Sequence, residues 1–176
     1  MSRKPLFKLL GVPVIPRPDL LLAAPLSSTL AYAVARRRAH GRFDALVVGI
    51  AAALLWYKAE MVHVAGHILS SRACDAPMDF VSWGILAGNG YENHDVTPQQ
   101  HIGRSIGGPI ASGLAVIFYW LLWRRLKGRL PRAIAAAGFG YNALIAVGSM
   151  APVPMVDGGV IYANMRKPPS SDEFDS

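Results

Sequence analysis

The chain has few charges and one cysteine. Of its 176 residues only 16% are charged, against 52% hydrophobic, where a soluble domain usually carries about 25% charge. That scarcity excludes an intrinsically disordered chain, which needs low hydrophobicity and high net charge. Cys74 is the single cysteine, so no internal disulfide framework exists. Acidic residues are also scarce, 11 against 18 Lys and Arg, giving a net charge of +7. A basic balance suits nucleic acid, but nucleic-acid domains are rarely this apolar, and no nucleic-acid partner is expected. No internal repeat is present. The remaining class is a small polytopic membrane protein of one domain.

The apolar residues come in blocks. Residues 20–35 (LLLAAPLSSTLAYAVA) run for sixteen positions without a charge, short of the roughly 20 that cross a bilayer core; Pro25 offers a kink. Residues 45–69 form a second segment that continues past Lys58 and Glu60. The third, residues 106–123, ends in Tyr119, Trp120 and Trp123, an interfacial aromatic pattern. The fourth, residues 133–150, is rich in the small residues that let helices approach closely. The expected fold is therefore all-α, a polytopic membrane protein with three to four transmembrane helices.

The rest is polar. Residues 1–19 contain four prolines and read as an irregular or interfacial arm. Residues 20–165 form the transmembrane core, with a polar loop over 71–104, and residues 166–176 read as a disordered tail. Nineteen residues precede the first segment and no small-x-small site follows it, which argues against a cleaved signal peptide. Arginines 36, 37, 38 and 42 and the basic cluster from Arg124 to Arg132 place two loops in the cytoplasm by the positive-inside rule. Arg3, Lys4, Lys8 and Arg17 in the arm argue for the opposite orientation. These clusters suit lipid headgroups, so membrane lipid is an expected partner.

Ionisable groups at membrane depth are costly and mark candidate sites. In the stretch KAEMVHVAGH, His67 lies about 40° and Glu60 about 60° round the helix from His63, so one face presents a carboxylate and two imidazoles. Two His at i and i+4 suit a shared zinc. The plainer alternatives are that both His hydrogen-bond neighbouring helices and that Glu60 pairs with Lys58. After the fourth segment comes APVPMVDGG, a proline exit followed by Asp157 and a Gly-Gly turn. The third segment opens with VTPQQHIGRSIGGPIASG, carrying Gly107, Gly108 and Pro109.

Taken in order, His-x-x-x-His, a Gly-Pro helix opening, Asn142 and the Pro-x-Pro-x-x-Asp-Gly-Gly exit resemble the core of the site-2 protease family of intramembrane metalloproteases, over residues 45–162. The resemblance implies zinc ligands His63, His67 and Asp157, all at one membrane level, with Asn142, Gly108 and Pro109 as substrate- or helix-binding positions. Asn142 stands somewhat early for that role. The family motif is His-Glu-x-x-His, whose Glu is the general base. Here Val64 occupies that place, and losing a positioned base costs about 10²–10⁴ in rate.

The resemblance therefore implies a proteolytically silent, metal-retaining relative. It would bind a transmembrane helix or serve as an accessory subunit for other integral membrane proteins, with a bacterial plasma membrane as the expected setting. Two alternatives stand beside it. Glu60 as an atypical catalytic base would make the chain an active zinc metalloprotease, or, as an added ligand, would suit iron or manganese. A metal-free structural subunit of a respiratory or photosynthetic complex is the other. His40, His94 and His101 read as loop histidines in or near water.

Overall fold

The computed structural model describes residues 4–38 and 41–166. Of the expected tail over 166–176, Arg166 caps α5 and the rest, like His40, lies outside the described residues. Five helices follow in chain order: α1 (Leu20–Arg37), α2 (Arg42–Ala73), α3 (Pro98–Arg125), α4 (Arg129–Ser149) and α5 (Asp157–Met165). Four short strands accompany them: β1 (Phe7–Leu9), β2 (Val12–Pro16), β3 (Phe80–Trp83) and β4 (Ala87–Gly90). Helices α2, α3 and α4 are long and apolar enough to cross a membrane, and α1 is not among them. Leu21, Leu26 and Leu30 on α1, Leu114, Ile117 and Phe118 on α3, and Leu144 and Val147 on α4 are all exposed. In water such faces would be a liability; lipid is the solvent that covers them. The chain is an integral membrane protein.

The helices pack through small residues. Ala31 and Ala35 of α1 meet Ala45, Val48 and Ala52 of α2 in one buried cluster. Farther along α2, Gly66 crosses Gly107 of α3 so closely that a Cβ on either would strike the other's backbone oxygen. In lipid, close contact of this kind supplies the packing that hydrophobic burial supplies in water. With 32 residues, α2 is about 48 Å long. Its first half packs with α1 and α4; its second half carries the histidines and backs onto the sheet.

Within the arm expected to be irregular over residues 1–19, Phe7–Leu9 and Val12–Pro16 are strands. β1 and β2 pair antiparallel, β2 runs parallel to β3, and β3 and β4 pair antiparallel. Val12 and Val14 of β2 alternate inward against Val64, Ile68, Met78 and Val81. The period-2 pattern is there in the sequence, masked by Pro13 and Pro16. β4 reads AGNG, a poor strand by propensity, and is held partly because the Phe80 ring lies where a Cβ of Gly90, its cross-strand partner, would stand.

Two helix starts also differ from expectation. α3 is capped by Thr97, whose Oγ1 accepts from the Gln100 amide (3.2 Å) while the Gln100 carboxamide accepts from the Thr97 amide (2.9 Å). This capping box, with Pro98 in the first turn, places Pro109 inside the helix rather than at its opening. After α4, the chain turns through residues 150–156 into α5. Gly158 and Gly159 lie against the carbonyls of Met150 and Val153, where any side chain would collide. The Gly-Gly pair thus lets α5 fold back against the turn that follows α4 and pack on α3, and that return carries Asp157 inward.

Candidate metal centre

His63 and His67 occupy one face of α2, with ring centroids 4.6 Å apart and planes at 84°. Their Nε2 atoms are 3.0 Å apart. Asp157, at the first position of α5, sets Oδ2 3.2 Å from His63 Nε2 and Oδ1 3.3 Å from His67 Nε2. The three residues named as ligands from sequence therefore converge, and among the described residues they are the group whose ligand atoms lie within 4.8 Å of one another.

The donor chemistry fits a cation. His67 Nδ1 is 2.7 Å from the Arg104 carbonyl, which can only accept, so that nitrogen carries the proton. In the neutral imidazole the lone pair then lies on Nε2, facing another imidazole nitrogen and a carboxylate. His63 Nδ1 is held by Ser112 Oγ at 3.0 Å. Partners of this type on the outward nitrogen are what metal-binding histidines generally have. Ligand atoms of one tetrahedral zinc, at roughly 2.0–2.1 Å from it, stand about 3.3 Å apart, close to the separations here. Gly108 of α3 keeps open the space beside the two imidazoles. A Cβ there would meet His67 Nε2 and come within 2.6 Å of His63 Cε1 and 2.7 Å of its Nε2.

Beside this group lies a cleft of about 360 Å³. Its walls include Glu60 and His63 from α2, Ala87 and Asn89 from β4, Ile145 and Gly148 from α4, and Asp157. His67 is 1% exposed and sits behind. Glu60 is buried, its Oε2 accepting from the Ala87 amide at 2.7 Å. The pairing of Glu60 with Lys58 is not the one formed: Lys58 Nζ donates to Tyr119 Oη at 3.1 Å. Glu60 shares the cleft with the ligand group without joining it. Val64 is 1% exposed and packs toward the sheet with Val14, Ile68 and Val81.

Of the other anticipated positions, Gly108 is at the centre and Pro109 follows it in α3, half-buried. Asn142 does not line the cleft. It is buried on α4, its Nδ2 donating to the Gly138 carbonyl at 2.8 Å, one turn before the cleft-lining Ile145. His94 is exposed, and His101 lies in the first turn of α3 rather than in a loop; neither joins the ligand group. Ser112 was not anticipated. It lies four residues after Gly108, hence on the same face of α3, and that spacing was the available signal. Nearby, burial pushes the Tyr91 phenol up in pKa, with the Arg104 guanidinium, 4.2 Å from its ring centroid, acting against it.

The fold matches the solved site-2 protease from Methanocaldococcus jannaschii with a TM-score of 0.63 and 12% identity, over 93% of this chain and 71% of that one. No family model matches the sequence, and no curated protein matches it. The chain has a site-2-protease-like fold.

Proposed function

We propose that this protein is a metal-holding, proteolytically silent relative of the site-2 proteases that binds a transmembrane helix as an accessory component of a membrane assembly, in a bacterial plasma membrane. One observation carries the reading: the three ligands converge within 3.3 Å, while Val64 is sealed into the sheet-facing core. When bound, zinc would supply Lewis acidity. His63 and His67 orient their Nε2 lone pairs, Asp157 adds negative charge, and Gly108 leaves room. Val64 can neither accept nor donate a proton. The cleft between β4 and α4 is walled by Leu86, Ile145 and Met155, apolar residues suited to a helix or an unwound segment of one.

Purified protein should carry close to one zinc per chain, and His63→Ala should carry none. Wild-type protein without metal would overturn the site and favour a metal-free structural subunit. Incubated with membrane-helix substrates, the wild type should leave them intact; zinc-dependent cutting would overturn the silence.

A second reading keeps an active protease with Glu60 as base. It is favoured by the position of that buried carboxylate in the same cleft as His63 and Asp157. Glu60→Gln retains an acceptor for the Ala87 amide and so preserves the fold. On this reading the variant would keep its metal and lose about 10²–10⁴ in turnover; unchanged turnover would discard Glu60.

A further inference from the structure

A second and larger concavity lies at the other end of the bundle, between α1 and α4, with a volume of about 860 Å³. Two contacts hold its walls. Tyr141 Oη donates to the Ser27 carbonyl at 3.1 Å, and the Arg129 guanidinium donates to the Arg38 carbonyl at 3.1 Å, more than a hundred residues and ninety residues apart in sequence respectively. The floor is apolar and made of small side chains, among them Ala133 and Ala137 of α4 and Val34 of α1. At the mouth stand three guanidiniums, Arg38, Arg129 and Arg132, all exposed. Arg132 is placed over the Trp123 ring, 5.7 Å from its centroid. Among the described residues no carboxylate lines the groove.

We propose that this groove is a binding site for one anionic phospholipid. The chemistry required of an occupant is set by its two ends. Along the floor it must be apolar, because Ala, Val and Leu side chains offer no hydrogen bonds. At the mouth it must be anionic, because three guanidiniums converge there. A phosphodiester headgroup satisfies the guanidinium forks, which match phosphate geometry in paired hydrogen bonds. Basic pockets between membrane helices take anionic lipid headgroups on this principle.

The dimensions agree. Along α4 the lining runs from Arg129 to Leu144, about 22 Å of helix, which exceeds one leaflet of a hydrocarbon core about 30 Å thick. An acyl chain laid beside Ala133 and Ala137 would cover the flank of the alanine cluster joining α1 to α2. The lipid would then act as the missing packing partner between α1 and α4. Helix α1 is not among the helices apolar enough to span by themselves, and the bound chain would hold it against the bundle.

The test uses the full chain, purified in mild detergent and stripped of lipid. Phosphatidylglycerol or phosphatidylcholine is then added in mixed micelles, with native mass spectrometry and thermal unfolding as readouts. Phosphatidylglycerol should bind at one per chain and raise the unfolding temperature, and phosphatidylcholine should do neither. The double variant R129Q/R132Q should weaken phosphatidylglycerol binding by about tenfold or more. The pair R124Q/R125Q, at the same membrane end but outside the groove, should leave it unchanged. Ala137→Leu, which fills the floor, should abolish phosphatidylglycerol binding. Zinc content should be the same in all of these proteins, separating this site from the metal centre. Equal binding of the two lipids, equal loss in the two arginine pairs, or a co-purifying protein helix that excludes lipid from the groove would overturn the proposal.

Discussion

The outward nitrogens of the two histidines decide how well the inward ones bind. His67 is fixed by a backbone carbonyl that no substitution removes, whereas His63 depends on the hydroxyl of Ser112. Ser112 is fully buried, so Ser112→Ala leaves the imidazole without its orienting partner. Loss of such a partner typically weakens metal binding 10–100-fold. A competition titration with a zinc chelator should show that drop while helical content stays unchanged. Gly108→Ala acts on the same centre by occupying it. A methyl group there collides with both imidazoles, so the variant should bind no stoichiometric zinc at all, and an unaltered zinc content would show that the ion does not lie between His63 and His67. The grouping of His63, His67 and Asp157 was legible because i, i+4 histidines and an aspartate behind a proline exit are chemically costly at membrane depth. Asn142 lies on the same face of α4 as the cleft-lining Ile145 and Ser149, one turn deeper, where its amide donates to the Gly138 carbonyl; the sequence pattern gave the face but not the depth.

Among the elements, those that declare themselves through long apolar runs were readable and those that rely on tertiary support were not. The cores of α2, α3 and α4 follow directly from spans of membrane length. β2 hides its alternation behind two prolines, β4 consists of small and turn-prone residues, and the short α5 exists because Gly158 and Gly159 fit beneath residues 150–154. The start of α3 was legible in principle, since Thr-Pro-Gln-Gln is a capping-box sequence, but the apolar run drew the boundary inward to residue 106. The box stabilises the turn that presents Arg104, whose carbonyl holds His67. Thr97→Ala removes the side-chain half of the box and should cost about 0.5–2 kcal/mol, measured by chemical unfolding in detergent. Zinc affinity should fall only slightly. A large loss of zinc in that variant would mean that the first turn of α3 positions the centre more directly than the hydrogen bonds indicate.

At the scale of the whole molecule, the three ligands tie together segments that are distant in sequence. His63 and His67 belong to α2, Gly108 and Ser112 of α3 press against them, and Asp157 arrives from beyond α4. An ion bound there links the sheet-bearing half of α2 to α5, and binding that exists only in the folded state adds RT ln(1 + [L]/Kd) to stability. At a free zinc concentration 100 times Kd that is about 2.7 kcal/mol, enough to raise the unfolding temperature by several degrees in a chain of this size. Chelator treatment of the wild type should therefore lower its unfolding temperature, and zinc should restore it. Without the ion, His67 Nε2 and Asp157 Oδ1 are two acceptors facing each other across 3.3 Å, an arrangement that needs a proton or a cation between them. Hydrogen exchange after chelation should accordingly rise first in residues 157–165, because α5 is held at its start by that carboxylate. His63→Ala should already have the lowered unfolding temperature and show no response to chelator. If wild type and variant respond alike, the link between α2 and α5 is made by packing alone, and the centre contributes nothing to holding the molecule together.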